Sequence, residues 1–144
     1  MLIEIRSSLD PELAALITAQ QRELEAAGAE ADRMFEPGDD VAYLVGVVNG
    51  RAVACGAWQE TGPGAAELRR LYVRPAFRGR GLARQMIVAI EEEALAADRP
   101  LLRLELGARL SAAIALYQSS GYRQVPSTGP HRVRFEKRLP ALVQ

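Results

Sequence analysis

The chain is 144 residues long, 49% apolar and 25% charged, a size and composition suited to one soluble domain with a substantial core. Eighteen basic residues balance eighteen acidic ones, so no overall field draws the protein to nucleic acid, and no apolar run reaches the length of a membrane span. Cys55 and His131 are the only residues of their kinds, which excludes an internal disulfide and leaves no ligand set for zinc; Met1 to Arg6 is not a signal peptide, and the expectation is a cytoplasmic protein without a metal.

In chain order, Leu2 to Arg6 alternates apolar and polar residues and reads as a short edge-like strand. Asp10 is a suitable N-cap and Pro11 a good first helical residue. The helix they open buries Leu13, Leu16, Ile17 and Leu24, and Gly28 is its natural stop. Residues 29 to 40, with Pro37-Gly38-Asp39-Asp40, read as a loop. Ala42 to Val48 and Ala52 to Gln59, joined by Asn49-Gly50, form a β-hairpin. Cys55 lies in its second strand, where it reads as a small buried hydrophobe. Thr61-Gly62-Pro63-Gly64 turns the chain into a strand from Ala65 to Val73. A helix from Leu82 to Ala97 follows, then a strand from Leu101 to Leu106. Ser111 is read as the cap of a helix over Ala112 to Ser119 that ends at Gly121, and Tyr122 to Val125 and Val133 to Arg138 close the fold as strands. The order β-α-β-β-β-α-β-α-β-β, without repeat or linker, describes a single α/β domain over residues 1–144.

The most specific local signal is Arg78-Gly79-Arg80-Gly81-Leu82-Ala83, a glycine-rich turn between a strand and a helix. That geometry gathers backbone N–H groups at the positive end of a helix, where an anion is stabilised. Gly79 and Gly81 remove the Cβ atoms that would hold a phosphate off, and Arg78, Arg80 and Arg84 add charge around the same spot. A P-loop would need a lysine at the turn, and the chain's one lysine is Lys137. A dinucleotide fingerprint would need a small residue where Arg84 stands. The remaining pattern is Arg/Gln-x-x-Gly-x-Gly/Ala, matched by Arg78, Gly81 and Ala83.

With this turn the sequence resembles the GCN5-related N-acetyltransferases (GNAT), which bind the pyrophosphate of acetyl-CoA there. Val73-Arg74-Pro75 is similar to the family's "V-x-P" lead-in, and Ala113-Ile114-Ala115-Leu116-Tyr117 with Gly121-Tyr122 is similar to its "A-x-x-L-Y-x-x-x-G-F/Y" segment. The resemblance runs from about Ala42 to Leu139 and implies a mixed central sheet with flanking helices. It also implies acetyl-CoA as acyl donor and acetyl transfer to a primary amine, on a small molecule or a peptide; because Cys55, the only soft nucleophile, sits in an expected core strand, the expected mechanism is direct attack in a ternary complex. On the resemblance, Leu71 and Val73 give backbone groups to the pantetheine arm, while Arg78, Gly79, Arg80, Gly81, Leu82, Ala83 and Arg84 hold the pyrophosphate.

An amine of lysine-like pKa is mostly protonated at neutral pH, so a carboxylate that takes its proton aids attack, and the departing thiolate needs a proton in return. Glu67 stands where family members place a catalytic glutamate; its alternative is a strand-end carboxylate paired with Arg69, and Glu105 is the reserve base. Tyr117 falls on the family's tyrosine and is the candidate general acid; its alternative is a packed core ring. Trp58, Tyr43, Phe35 and Arg69 are weaker candidates for the acceptor site. Two departures bear on the acceptor. Arg109-Leu110-Ser111 stands where many relatives carry an asparagine, and Leu104-Glu105-Leu106-Gly107 is similar to the "L-E-T-G" of a bacterial subgroup with leucine in place of threonine. The loop from Ser127 to His131 is also shorter than that subgroup's, and His131 on it reads as an exposed loop residue. Two rival readings remain: a non-catalytic acyl-CoA sensor on the same fold, and an interaction module that uses the arginine cluster on nucleic acid. Monomer and homodimer stay open.

Overall fold

The computed structural model describes residues 1–28, 40–127 and 129–140. The predicted loop over residues 29–40, apart from Asp40, lies outside them, as do Phe35 and Thr128. The observed elements are β1 (Leu2–Arg6), α1 (Pro11–Ala26), β2 (Val41–Val48), β3 (Arg51–Glu60), β4 (Ala65–Val73), α2 (Leu82–Ala96), β5 (Leu101–Gly107), α3 (Ser111–Ser119), β6 (Arg123–Val125) and β7 (Arg132–Arg138). The alternation of period-2 and period-3.6 patterns places each of them within a residue or two of its expected bounds. A 3-10 turn, Pro75–Phe77, precedes the glycine-rich turn.

One seven-stranded sheet runs in the order β1-β2-β3-β4-β5-β7-β6. Each neighbouring pair is antiparallel except β4 and β5. The β2–β3 turn has positive φ at both Asn49 and Gly50, as a two-residue hairpin requires. Side chains on one face of the sheet, among them Val45, Cys55, Ala57 and Tyr72, pack under Leu13, Leu16 and Ile17 of α1. The other face, with Leu44, Ala54, Leu68, Leu102 and Phe135, packs under Met86, Ile87 and Ile90 of α2 and Tyr117 of α3. Helix α2 sits close on β3: a Cβ added at Gly56 would lie 2.7 Å from Ile90 Cδ1. Asp10 caps α1 by accepting from Leu13 N at 2.9 Å.

Two irregularities in β4 position the site. Arg70 and Leu71 face Gly56 alone, a bulge that kinks the strand and puts Arg70 at φ 57°. Cys55 Sγ donates to Arg70 O at 3.3 Å and fixes the kink. The parallel pairing of β4 with β5 covers only Ala65↔Leu101, Ala66↔Leu102 and Glu67↔Arg103. Beyond Glu67 the two strands part, and the sheet opens.

The helix start at Ser111 corrects one expectation. The N-cap of α3 is Leu110, and no side chain caps it. The amide of Ser111 is tied back to Arg109 O at 2.9 Å, which draws Ser111 into the first helical turn. Among the described residues, no helix is long and apolar enough to cross a membrane, and no three His, Cys, Asp or Glu side chains group as metal ligands.

Candidate active site

The gap between β4 and β5 is a cavity of about 660 Å³, walled by both strands, α1 and α3. Of the sequence-derived candidates, Glu67, Leu71, Val73, Arg78, Ala83 and Tyr117 line it, as does the reserve base Glu105. Gly79, Arg80, Gly81, Leu82 and Arg84 form the turn and first helical residues beside it. Trp58 is in the core on the α2 side, Tyr43 is buried beneath α1, and of the weaker acceptor candidates that the structure describes only Arg69 lines the cavity.

The two carboxylates differ in their partners. Arg132 Nε donates to Glu105 Oε1 at 2.8 Å, so Glu105 is ion-paired. The Glu67 carboxylate makes no hydrogen bond or ion pair among the described residues, and Arg69 donates to Gln59 Oε1 at 3.1 Å. Tyr117 is 6% exposed, and its ring meets Tyr122 edge-on at 5.6 Å. Burial pushes its pKa up, so the phenol keeps its proton throughout the neutral range. The Tyr122 hydroxyl donates to Glu91 Oε2 at 2.9 Å, and Lys137 Nζ donates to the same oxygen at 2.9 Å. This closed network holds the ring against which Tyr117 rests.

Cys55 is fully buried, and burial pushes its thiol up to about 12. It is therefore no nucleophile, in agreement with its reading as a core residue.

The free edge of β4 carries two internal contacts. Because Arg74 N bonds to β3 at Val53 O, strand alternation turns the polar groups of Val73 toward the gap. Val73 O accepts from Arg78 Nε at 2.9 Å, and Leu71 O accepts from Gln20 Nε2 at 2.9 Å. Arg78 also donates through Nη2 to Glu23 Oε2 at 2.7 Å, which lowers the Glu23 pKa and raises that of Arg78. Gln20 and Glu23 were not singled out from sequence. The legible signal was Gln20, a polar residue on the stripe of Leu13, Leu16 and Ile17.

The glycine-rich turn fits a diphosphate. Gly79 and Gly81 have φ of 78° and 76°, and a Cβ added at either meets nothing within 4 Å, so the turn's backbone is open. The first helical bond of α2 is Gln85 N to Gly81 O at 3.2 Å, which leaves the amides of Leu82, Ala83 and Arg84 without helical acceptors. No side chain caps them. Arg80 stacks on the Phe77 ring at 5.1 Å, and Arg84 Nη2 donates to Ser119 Oγ at 2.6 Å.

Comparison with known proteins agrees with this geometry. The family model for the acetyltransferase (GNAT) domain matches residues 39–124. An IAA acetyltransferase of Azospirillum brasilense is 32% identical over 90% of this chain and 81% of its own length. A Klebsiella pneumoniae structure named as an acyl-CoA N-acyltransferase superposes with a TM-score of 0.82 at 33% identity, covering 96% of this chain and 97% of that one. The N-acetyltransferase PaiA of Thermoplasma acidophilum, solved in complex with coenzyme A, shares the fold at 18% identity and a TM-score of 0.75, over 96% of this chain and 99% of its own. The chain belongs to the GNAT acetyltransferase family, and its activity is acetyl-CoA-dependent N-acetyl transfer.

Proposed function

We propose that this GNAT acetyltransferase moves the acetyl group to a primary amine in the gap between β4 and β5, with Glu67 as base and Tyr117 as acid. The observation that carries the reading is the parting of the strands just beyond Glu67, which opens a cavity holding an unpaired carboxylate and a phenol without a hydrogen bond among the described residues.

Acetyl-CoA supplies an activated thioester. The amides of Leu82, Ala83 and Arg84, with the open backbone at Gly79 and Gly81, hold its pyrophosphate, and Arg80 adds positive charge. Arg78 and Arg84, whose guanidinium groups are engaged by Glu23, Val73 O and the α3 serines, keep the turn in place. Leu71 and Val73 present backbone groups to the pantetheine arm along the free strand edge.

Glu67 takes a proton from the attacking amine as nitrogen bonds to the thioester carbon. Tyr117 gives its proton to sulfur as the carbon–sulfur bond breaks, then regains one from solvent. The raised pKa of the phenol makes it a reluctant donor, yet the same dry surroundings raise the proton affinity of the thiolate. Cys55 takes no part, so transfer is direct, in a ternary complex. The acceptor is a small-molecule or peptide amine, and the reading places the enzyme in the cytoplasm.

A thiol-release screen with acetyl-CoA against a panel of amines and peptides tests the assignment. Release that depends on an amine supports it. Binding of acetyl-CoA with no release for any amine would favour a sensor domain instead.

A further inference from the structure

Two residues that line the cavity, Arg70 and Gln20, each carry a shielded polar atom without a partner among the described residues. The first is Arg70 Nη1, which is shielded from solvent and has no hydrogen-bond acceptor among the described residues. Arg70 occupies the β4 bulge at φ 57°, a conformation that disfavours side chains like its own. Its backbone is fixed there by the bulge and by Cys55 Sγ on its carbonyl. The guanidinium lies toward the α1 face: burial raises the Tyr43 and Cys55 pKa values, and the charge of Arg70 pulls both down. A strained backbone and an unmet, permanently charged donor at one residue are two costs with no return among the described residues.

The glutamates around the cavity do not meet this donor. Glu23 is paired with Arg78, Glu105 with Arg132, and the Glu67 carboxylate has no partner among the described residues. Four arginines line the cavity against three glutamates.

The second atom is Gln20 Oε1, equally shielded and without a donor. Its assignment as oxygen is fixed, because the other end of the carboxamide donates to Leu71 O and must be the nitrogen. Of the residues that line the cavity, one thus lacks an acceptor and another a donor. A pantetheine amide could serve Gln20, but the arm carries no anion short of the phosphates at the α2 end. A guanidinium without an acceptor among the described residues calls for a planar anion, and a carboxylate is its match.

We propose that the acceptor amine carries a carboxylate and that Arg70 is the residue that reads it. The inference rests on the acetyl-transfer reading above and narrows its substrate class to amino acids and related carboxylated amines, whose ammonium end faces Glu67.

The test uses matched pairs, α- and ω-amino acids against their carboxamides, with acetyl-CoA and thiol release as readout. The variants are Arg70→Asn, which tolerates positive φ, and Arg70→Lys, which keeps the charge. Wild type should prefer the carboxylate member, and Arg70→Asn should lose that preference through a rise in KM on the order of 10–100-fold, the scale of a charge-assisted pair. Its rate with the carboxamides should change little, and Arg70→Lys should retain part of the preference. An unchanged thermal shift by acetyl-CoA establishes that each variant is folded. Equal use of both members by wild type, or an equal fall for both in Arg70→Asn, overturns the carboxylate and leaves acetyl transfer standing. No release with any amine removes acetyl transfer, and the carboxylate inference with it.

Discussion

Arg132 holds Glu105 through a 2.8 Å contact between Nε and Oε1, and that pairing separates the two candidate bases of the cavity, Glu105 and Glu67. The Glu105 oxygen is tied to that guanidinium, whereas the Glu67 carboxylate has no partner among the described residues and is free to meet an amine. Glu67→Gln should therefore slow turnover most at low pH, where little free amine exists, and recover partly as solvent deprotonates the amine. Glu105→Gln should keep the wild-type profile. The pH–rate profiles of the two variants check this, and a Glu67→Gln profile superimposable on wild type would move the base elsewhere.

Cys55 offers a second test, because a ping-pong route would need a nucleophile and this is the chain's one thiol. Its Sγ donates to Arg70 O, and burial pushes its pKa up to about 12. Cys55→Ala should keep most of its turnover and lose about 1 kcal/mol of stability to the lost packing. Initial-rate plots should intersect rather than run parallel. The folded thiol also holds its proton where the unfolded one, near its ordinary value of 9.0, releases it. Above that pH the unfolded chain binds fewer protons, so this group's contribution to stability falls as pH rises from about 9 toward 12. Chemical denaturation of wild type and Cys55→Ala across that range measures the difference.

Glu91 is buried, and Lys137 and Tyr122 are its hydrogen-bond partners. Lys137→Met leaves the carboxylate with the phenol alone and should cost about 1–3 kcal/mol, less than a fully buried pair because the lysine is partly exposed. The loss of midpoint in urea reads it directly. Since the network supports the ring behind Tyr117, turnover should fall at temperatures where the variant is still folded.

Much of this arrangement is legible in the sequence because it is local. Asn49-Gly50 announces the hairpin, Pro11 and Gly28 bracket α1, and the turn from Arg78 to Ala83 carries its own backbone requirement at Gly79 and Gly81. Glu67 and Tyr117 became candidates through the family resemblance, and both line the cavity. What the sequence hid is long-range pairing. Gln20 meets Leu71, Glu23 meets Arg78 and Glu91 meets Lys137 across separations of 51, 55 and 46 residues. No periodicity reports such contacts. The contacts of the Arg78 guanidinium with Val73 O and with Glu23 of a distant helix were hidden for the same reason. The cap of α3 was misplaced by one residue, since a serine next to a helix start looks the same whether or not it caps.

The central claim, that acetyl transfer takes place between β4 and β5 with Tyr117 as acid, is met most directly by thiol release from Tyr117→Phe at saturating acetyl-CoA and amine. The ring and its edge contact with Tyr122 remain, and only the hydroxyl is lost. The account predicts an unchanged thermal shift by acetyl-CoA and a turnover lowered by about 10²–10⁴. Wild-type turnover from Tyr117→Phe would contradict it and return Tyr117 to the core.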